Sequence, residues 1–248
     1  MQPPAYCFHK SFEPAAPAEF RMDRHYLLYA LQGTLRLEAD GKRWSLPPAR
    51  AALIRADQPV TITILSRLTS ASVLFAPDFC AAPPEALTVF DISPLARELI
   101  RACRPFGPNA PLTPHAETLF RTLAEVALVL AETPSPCVLP APASPALARA
   151  LALTEARAAG PLSFEDIARA TGHSPRALAR KFASEMGMTW RESLRRIRIL
   201  RAVELLAESD APVTQIALDV GYTSLSAFNA AFRDLTGKTP SQYRASFR

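Results

Sequence analysis

Arg176, Ala179, Arg180 and Lys181 share one side of a short segment whose other side is marked by Leu178 and Phe182, four residues apart. If the segment is helical, the apolar pair turns inward and the four stand outside. An arginine so placed presents a planar fork of N–H donors with a permanent positive charge, a shape that fits the O6/N7 edge of guanine or a phosphate. Other residue types that do chemistry are sparse. The four histidines, His9, His25, His115 and His173, lie outside metal-ligand spacing of one another, and no Gly-x-Ser-x-Gly, P-loop or Gly-x-Gly-x-x-Gly run occurs. No catalytic residue, metal site or cofactor is therefore expected, and enzyme function is disfavoured. Cys7, Cys80, Cys103 and Cys137 include no C-x-x-C pair, which fits reduced thiols in a cytoplasm, without zinc or a disulfide framework.

The elements that would hold those arginines repeat. Ile167-Ala168-x-x-x-Gly172, followed by Ser174, Leu178 and Phe182, returns as Ile216-Ala217-x-x-x-Gly221, followed by Ser224, Phe228 and Phe232. The first part recurs at an offset of 49 and the second at 50, so the copies differ by one residue in the turn. In the first copy Ser163 can cap a helix, with Asp166 in capping-box spacing, and Ser174 can cap the next, with Pro175 at its first position. Gly172 and Gly221 suit the left-handed turn between helices, and Ala168 and Ala217 allow a close crossing. This is a duplicated helix-turn-helix, and in a unit of this shape the outward face of the second helix enters a DNA major groove. One copy alone would equally suit plain helical packing. Two copies with matched Ile-Ala, Gly, Ser and aromatic positions favour DNA.

Charge and proline divide the chain in the same place. Residues 144–248 hold 15 Lys and Arg against 10 Asp and Glu, while residues 1–143 hold 13 of each, so the whole net charge of +5 lies in the back part. That balance draws a domain toward phosphate, and would also suit an acidic partner or an anionic membrane surface. Of 24 prolines, 21 stand at or before Pro161, which leaves the back free to be helical. The cluster Pro134, Pro136, Pro140, Pro142 and Pro145 reads as a stiff connector over 134–145. No apolar run is long enough to span a bilayer, and the N-terminus lacks the pattern of a signal peptide, so no membrane association is expected.

Strand patterns fill the front, over 1–82. Leu35, Leu37 and Ala39 alternate with Arg36 and Glu38, Asp40-Gly41 marks a hairpin, and Val60, Ile62 and Ile64 alternate with threonines, as in a small barrel or jelly roll. Helices are expected over 92–133. Ser93-Pro94 opens one, and Leu119, Leu123, Val126 and Leu130 give another a stripe that could pair two copies in a homodimer or, the reading its shortness favours, pack on the barrel. His25, Tyr29 and Trp44 are candidate residues of an effector pocket, each equally suited to an ordinary barrel position.

From about Leu147 to Arg248 the chain resembles the paired helix-turn-helix domain of the AraC/XylS family of transcription regulators. The resemblance rests on Ser174-Pro-Arg-Ala-Leu-Ala-Arg-Lys-Phe182, Gly187-Met-Thr-Trp190, Gly221-Tyr-Thr-Ser-Leu-Ser-Ala-Phe228 and Phe232-Arg-Asp-Leu-Thr-Gly237-Lys-Thr-Pro-Ser-Gln-Tyr243. The front is similar, more loosely, to the cupin-like effector domains of that family, although Pro47-Pro48-Ala49-Arg50 stands where relatives often have Pro-Gly-Asp. The resemblance implies an α+β protein of two domains: a cupin-like β-barrel with following helices over 1–133, and an all-α DNA-binding domain over 146–248. Its helix-turn-helix units would cover about 163–186 and 213–236, joined by a helix over 190–207. In that helix Thr189 and Glu192 have capping-box spacing, and Trp190, Leu194, Ile197 and Leu200 would face both units.

Carried onto this chain, the resemblance places Arg176, Ala179 and Arg180 against base edges in one groove and Leu225, Ser226 and Asn229 in the next, one helical turn away. Ser174, Lys181, Thr189, Arg191, Ser224, Lys238, Thr239 and Gln242 would meet phosphates. Relatives often carry Arg where Ala230 stands, so the second site should read sequence more weakly than the first. Arg191, Arg195 and Arg198 form a basic stripe on the joining helix that reads as a solvated face. The implied partners are double-stranded promoter DNA, a small-molecule effector and, for an activator, RNA polymerase. Two alternatives stay open: a DNA-binding regulator whose barrel serves only dimerisation, and a barrel enzyme with a helical appendage.

Overall fold

The computed structural model describes residues 2–246 and divides into two compact units, a first that holds the residues up to Ala39 and Trp44–Ser135, and a second of Asp40–Arg43 with Pro136–Tyr243. The first unit is built on β1 (Ala5–Phe12), β2 (Ala15–Phe20), β3 (His25–Gln32), β4 (Leu35–Ala39), β5 (Lys42–Leu46), β6 (Arg50–Ile54), β7 (Val60–Ile64), β8 (Leu68–Phe75) and β9 (Leu87–Asp91), followed by α1 (Pro94–Cys103) and α2 (Pro114–Ala131). Strand β9 extends the sheet region past residue 82, where the sequence pattern placed its end. One sheet runs β1-β8-β3-β6-β9, and β5, β4, β7 and β2 lie in that order in the other. The turn between β4 and β5 has positive φ at both Asp40 (48°) and Gly41 (69°), as a two-residue hairpin demands.

Register decides which side chains meet. Tyr6, Leu74 and Tyr26 stand abreast on β1, β8 and β3, while Cys7, Val73 and Leu27 form the next row, facing the other way. That second row, with Tyr29, Ala51, Leu53 and Phe75, packs in one apolar core with Ala96 and Ile100 of α1 and Phe120, Leu123 and Ala127 of α2. Strand β3 is thus covered on both faces, which explains its nearly unbroken apolar run. On α2 the fully buried face is Ala116, Phe120, Leu123, Ala124, Ala127 and Ala131, and Leu119, Val126 and Leu130 are half-buried along its flank. Small residues bring the helix close to the sheet. Ser93 and Thr113 cap these helices by accepting from the N–H of Ala96 and Ala116.

The second unit contains α3 (Pro145–Arg157), α4 (Phe164–Ala170), α5 (Pro175–Met186), α6 (Trp190–Glu208), α7 (Val213–Asp219), α8 (Leu225–Thr236) and α9 (Pro240–Ala245). The proline-rich stretch before α3 is more than a connector. Its residues Leu139–Pro140 form β10, Leu139 pairing with Arg43 and Pro140 with Lys42, and Arg43 makes an ion pair with Glu155. Leu139 is buried in the core shared by α3, α4, α5 and the start of α6. Prolines there restrict the backbone without preventing a two-residue ladder, because the N–H of Ala141 still reaches the carbonyl of Gly41. Among the described residues no helix is long and apolar enough to cross a membrane.

Candidate nucleic-acid interface

The first candidate reader is α5. Ser163 caps α4 by accepting from the N–H of Asp166 and donating its hydroxyl to that carboxylate. That hydroxyl leads the effects holding the Asp166 carboxyl below the usual range. Gly172 turns the chain at φ +72°, Ser174 accepts from the N–H of Ala177, and α5 begins. Leu178 and Phe182 are fully buried, and Phe182 meets Phe164 edge-on at 6.2 Å between ring centroids. The opposite side leaves Arg176, Ala179 and Arg180 exposed. No hydrogen bond or ion pair within the described residues engages either guanidinium. Lys181 differs: it pairs with Glu185 at 3.5 Å, and Glu185 also accepts from the N–H and hydroxyl of Ser144 at the start of α3.

The second candidate reader, α8, repeats the arrangement. Gly221 turns at φ +90°, Ser224 accepts from the N–H of Ala227, and Phe228 and Phe232 are buried in a ladder of rings running from Tyr222 to Tyr243. Leu225, Ser226 and Ala230 are exposed and Asn229 is half-buried. These four line a surface hollow of about 510 Å³ together with Arg233 and Thr239. Arg233 was not foreseen from sequence. It stands one turn beyond Ala230, and i, i+3 spacing was the signal that could have found it. Thr239 and Gln242 are tied together, the amide oxygen of Gln242 accepting from both the N–H and the hydroxyl of Thr239, and Lys238 lies 5.7 Å from the ring centre of Tyr243.

Helix α6 joins the two. A capping box starts it, Thr189 accepting from the N–H of Glu192 at 3.2 Å while Glu192 accepts from the N–H and hydroxyl of Thr189. Those donors hold the Glu192 carboxyl below its ordinary range, the backbone N–H foremost. Trp190 donates its indole N–H to buried Thr154 at 3.0 Å. Trp190 and Ile197, with Leu194 and Leu200 at the margin, belong to the core of α3, α4 and α5 rather than facing both readers. Farther along, α6 meets α7 and α8 and buries Ile199, Ala202, Val203 and Leu206. The expected solvated arginine stripe holds at Arg191 and Arg195, both exposed, and fails at Arg198. Arg195 pairs with Asp234 at 2.9 Å, and Arg198 is half-buried, donating to the carbonyls of Ala158 and Gly160 with Tyr222 beneath it at 5.7 Å. Burial lowers the Arg198 pKa from its usual value. The carbonyls at the end of α3 give a half-buried arginine its acceptors, which charge spacing alone does not reveal.

A family model described as a helix-turn-helix domain matches residues 167–246. Over 84 residues the chain is 36% identical to the regulatory protein SoxS of Salmonella typhimurium, covering 34% of this chain and 78% of SoxS. It is 26% identical over 246 residues to the transcriptional regulator NimR of Escherichia coli, covering 97% of this chain and 87% of NimR. An AraC-type transcriptional regulator structure from Chromobacterium violaceum shares 34% identity over 42% of this chain and 92% of its own, at a TM-score of 0.41. The chain belongs to the AraC family of transcription regulators. It is a DNA-binding protein, and its relatives act on transcription rather than as enzymes.

In the N-terminal unit of this AraC-family regulator a cavity of about 400 Å³ lies between the two sheets and opens along the exposed β2. Tyr6, Tyr26, Leu28 and Leu74 line it from one side and Leu35, Ile62 and Ile64 from the other. The candidate pocket residues are elsewhere. Tyr29 has the other parity on β3 and packs under the helices. His25 faces the same way, its Nδ1 accepting from the N–H of Ala56 and its ring bounding a void of only about 10 Å³ beside Cys80. Trp44 is buried on β5 without reaching the cavity wall. A one-residue shift on a strand reverses the face, so residue type without register does not say which side chains line this cavity. No disulfide joins the four cysteines, and burial pushes the thiols of Cys7 and Cys103 up to about 12 and that of Cys80 to about 11, which keeps those three protonated.

Proposed function

We propose that α5 and α8 of this regulator read successive major grooves on one face of the duplex, and that a small molecule held inside the N-terminal unit controls the outcome. Arg176, Ala179 and Arg180 meet base edges in one groove, and Leu225, Ser226 and Asn229 in the next. The observation that carries the reading is the pair of exposed guanidinium groups, unengaged among the described residues, opposite buried Leu178 and Phe182. Backbone contacts come from Ser174, Lys181, Arg191, Ser224, Lys238, Thr239 and Gln242, with Arg233 added at the hollow on α8. Thr189 leaves that set, because its hydroxyl and its N–H both donate to the Glu192 carboxylate, which would also repel a phosphate. With no cation on α8 until Arg233, the second site contributes less sequence preference.

Selection from a randomised DNA library, followed by titration of the chosen site, tests this. Arg180→Ala should lose preference at one guanine by about 1–3 kcal/mol while keeping its general affinity for DNA. Equal information content in both half-sites, or an unchanged preference in the variant, would overturn the assignment.

A further inference from the structure

The cavity between the sheets has a lining with one chemical character. Packed interiors leave few voids larger than a water molecule, whereas this one holds about 400 Å³, within the range of cavities that enclose small ligands. The rings of Tyr6, Phe8, Phe12, Phe20 and Tyr26 dominate it. Polar side chains are few, and the Ser70 hydroxyl is bonded to the carbonyl of Tyr29 and to Ser72. Burial raises the pKa of both lining phenols, so they stay neutral. Among the described residues the one charged group in the lining is Glu19, exposed on β2.

Two cations lie near the wall without lining it. Lys10 is 5.5 Å from the ring centre of Phe12, and Arg24 is 5.2 Å from that of Tyr6, with its guanidinium donating to the carbonyls of Pro3 and Pro4. An ionised group carried into the interior would find no partner there, and burying an unpaired charge is costly. Strand β2 supplies the thinnest wall. Among the described residues it pairs with β7 alone, its register breaks between Ala15 and Ala18, and it contributes the small side chains of Ala15, Ala16 and Ala18.

We infer that this cavity takes one uncharged, predominantly apolar molecule, admitted past β2, and that the Glu19 carboxylate disfavours carboxylate ligands. The inference rests on the reading that a small molecule in this unit controls the regulator. Calorimetric titration of the whole chain with octan-1-ol, octanoate and octylammonium, matched in length and differing in head group, tests it. Octan-1-ol should bind at one site at least tenfold more tightly than either ion, and Ala18→Phe, which adds a ring to the cavity from an exposed strand, should abolish that binding with the melting temperature retained. Glu19→Gln should narrow the gap between octan-1-ol and octanoate. Equal or tighter binding of either ion overturns the ligand class while leaving the site in place. Binding of none of the three, or undiminished binding to a folded Ala18→Phe variant, overturns the site itself. Saturation by octan-1-ol with no change in DNA affinity would leave the cavity chemistry standing and remove the control reading.

Discussion

Gly172 and Gly221 occupy equivalent turns with positive φ, yet their surroundings differ. A Cβ at Gly172 would meet nothing within 4 Å, while one at Gly221 would lie 2.6 Å from the carbonyl oxygen of Ala158 and 2.9 Å from the Arg198 guanidinium. Gly172→Ala should therefore lose only the backbone penalty of about 1–2 kcal/mol, and Gly221→Ala clearly more. Denaturant unfolding of the two variants decides it, and equal losses would refute the packing argument. His25 gives a second prediction at this scale. Burial foremost, with the Arg55 charge, holds its pKa below the ordinary 6.5. Because the unfolded chain takes up a proton at 6.5 and the folded one only at lower pH, stability is full above 6.5 and falls as pH drops toward the folded value. His25→Gln should flatten that decline in melting temperature between neutral and mildly acidic pH, and an unchanged slope would count against a neutral buried ring.

Elements were legible in the sequence where side chains and caps coincide. The Ser174-Pro175 start, the Thr189–Glu192 box and the glycine turns mark α5, α6 and the two units to within a residue or two, because each cap needs a particular oxygen at a particular spacing. Strand faces were less legible. His25 and Tyr29 look suited to a pocket by type, but their parity on β3 turns them toward α1 and α2, and nothing local to the sequence states which face of a doubly covered strand looks inward. The proline-rich stretch misled for a related reason: β10 depends on Arg43, nearly a hundred residues earlier. At α6, Thr189→Ala should reduce stability by about 1 kcal/mol through loss of the cap, measured in the same unfolding experiment. Glu192 adds a pH dependence: its folded pKa is depressed, so its contribution is present above the ordinary value of 4.5 and is lost as pH falls below it. Glu192→Gln should remove that acid-side loss.

For the whole molecule, affinity for DNA should follow salt, since the excess of cations lies entirely in residues 144–248. With Z phosphates neutralised, log K should fall against log salt with a slope of about −0.9Z, and removing Arg191 or Arg233 should each lessen the slope by about one. A variant slope equal to the parent's would take that residue off the DNA backbone. The turn at Gly221 bears on one more property. It rests on the Ala158 and Ala159 carbonyls at the end of α3, and the same carbonyl of Ala158 holds Arg198 of α6. The candidate second reader is thus braced at two points rather than hung on one joint. An operator lengthened by a single base pair between its halves rotates the far half by about 34°, and a braced gauge has no means to follow. Such lengthened operators should be bound no better than a lone first half, so the regulator would tolerate changed letters more readily than changed spacing.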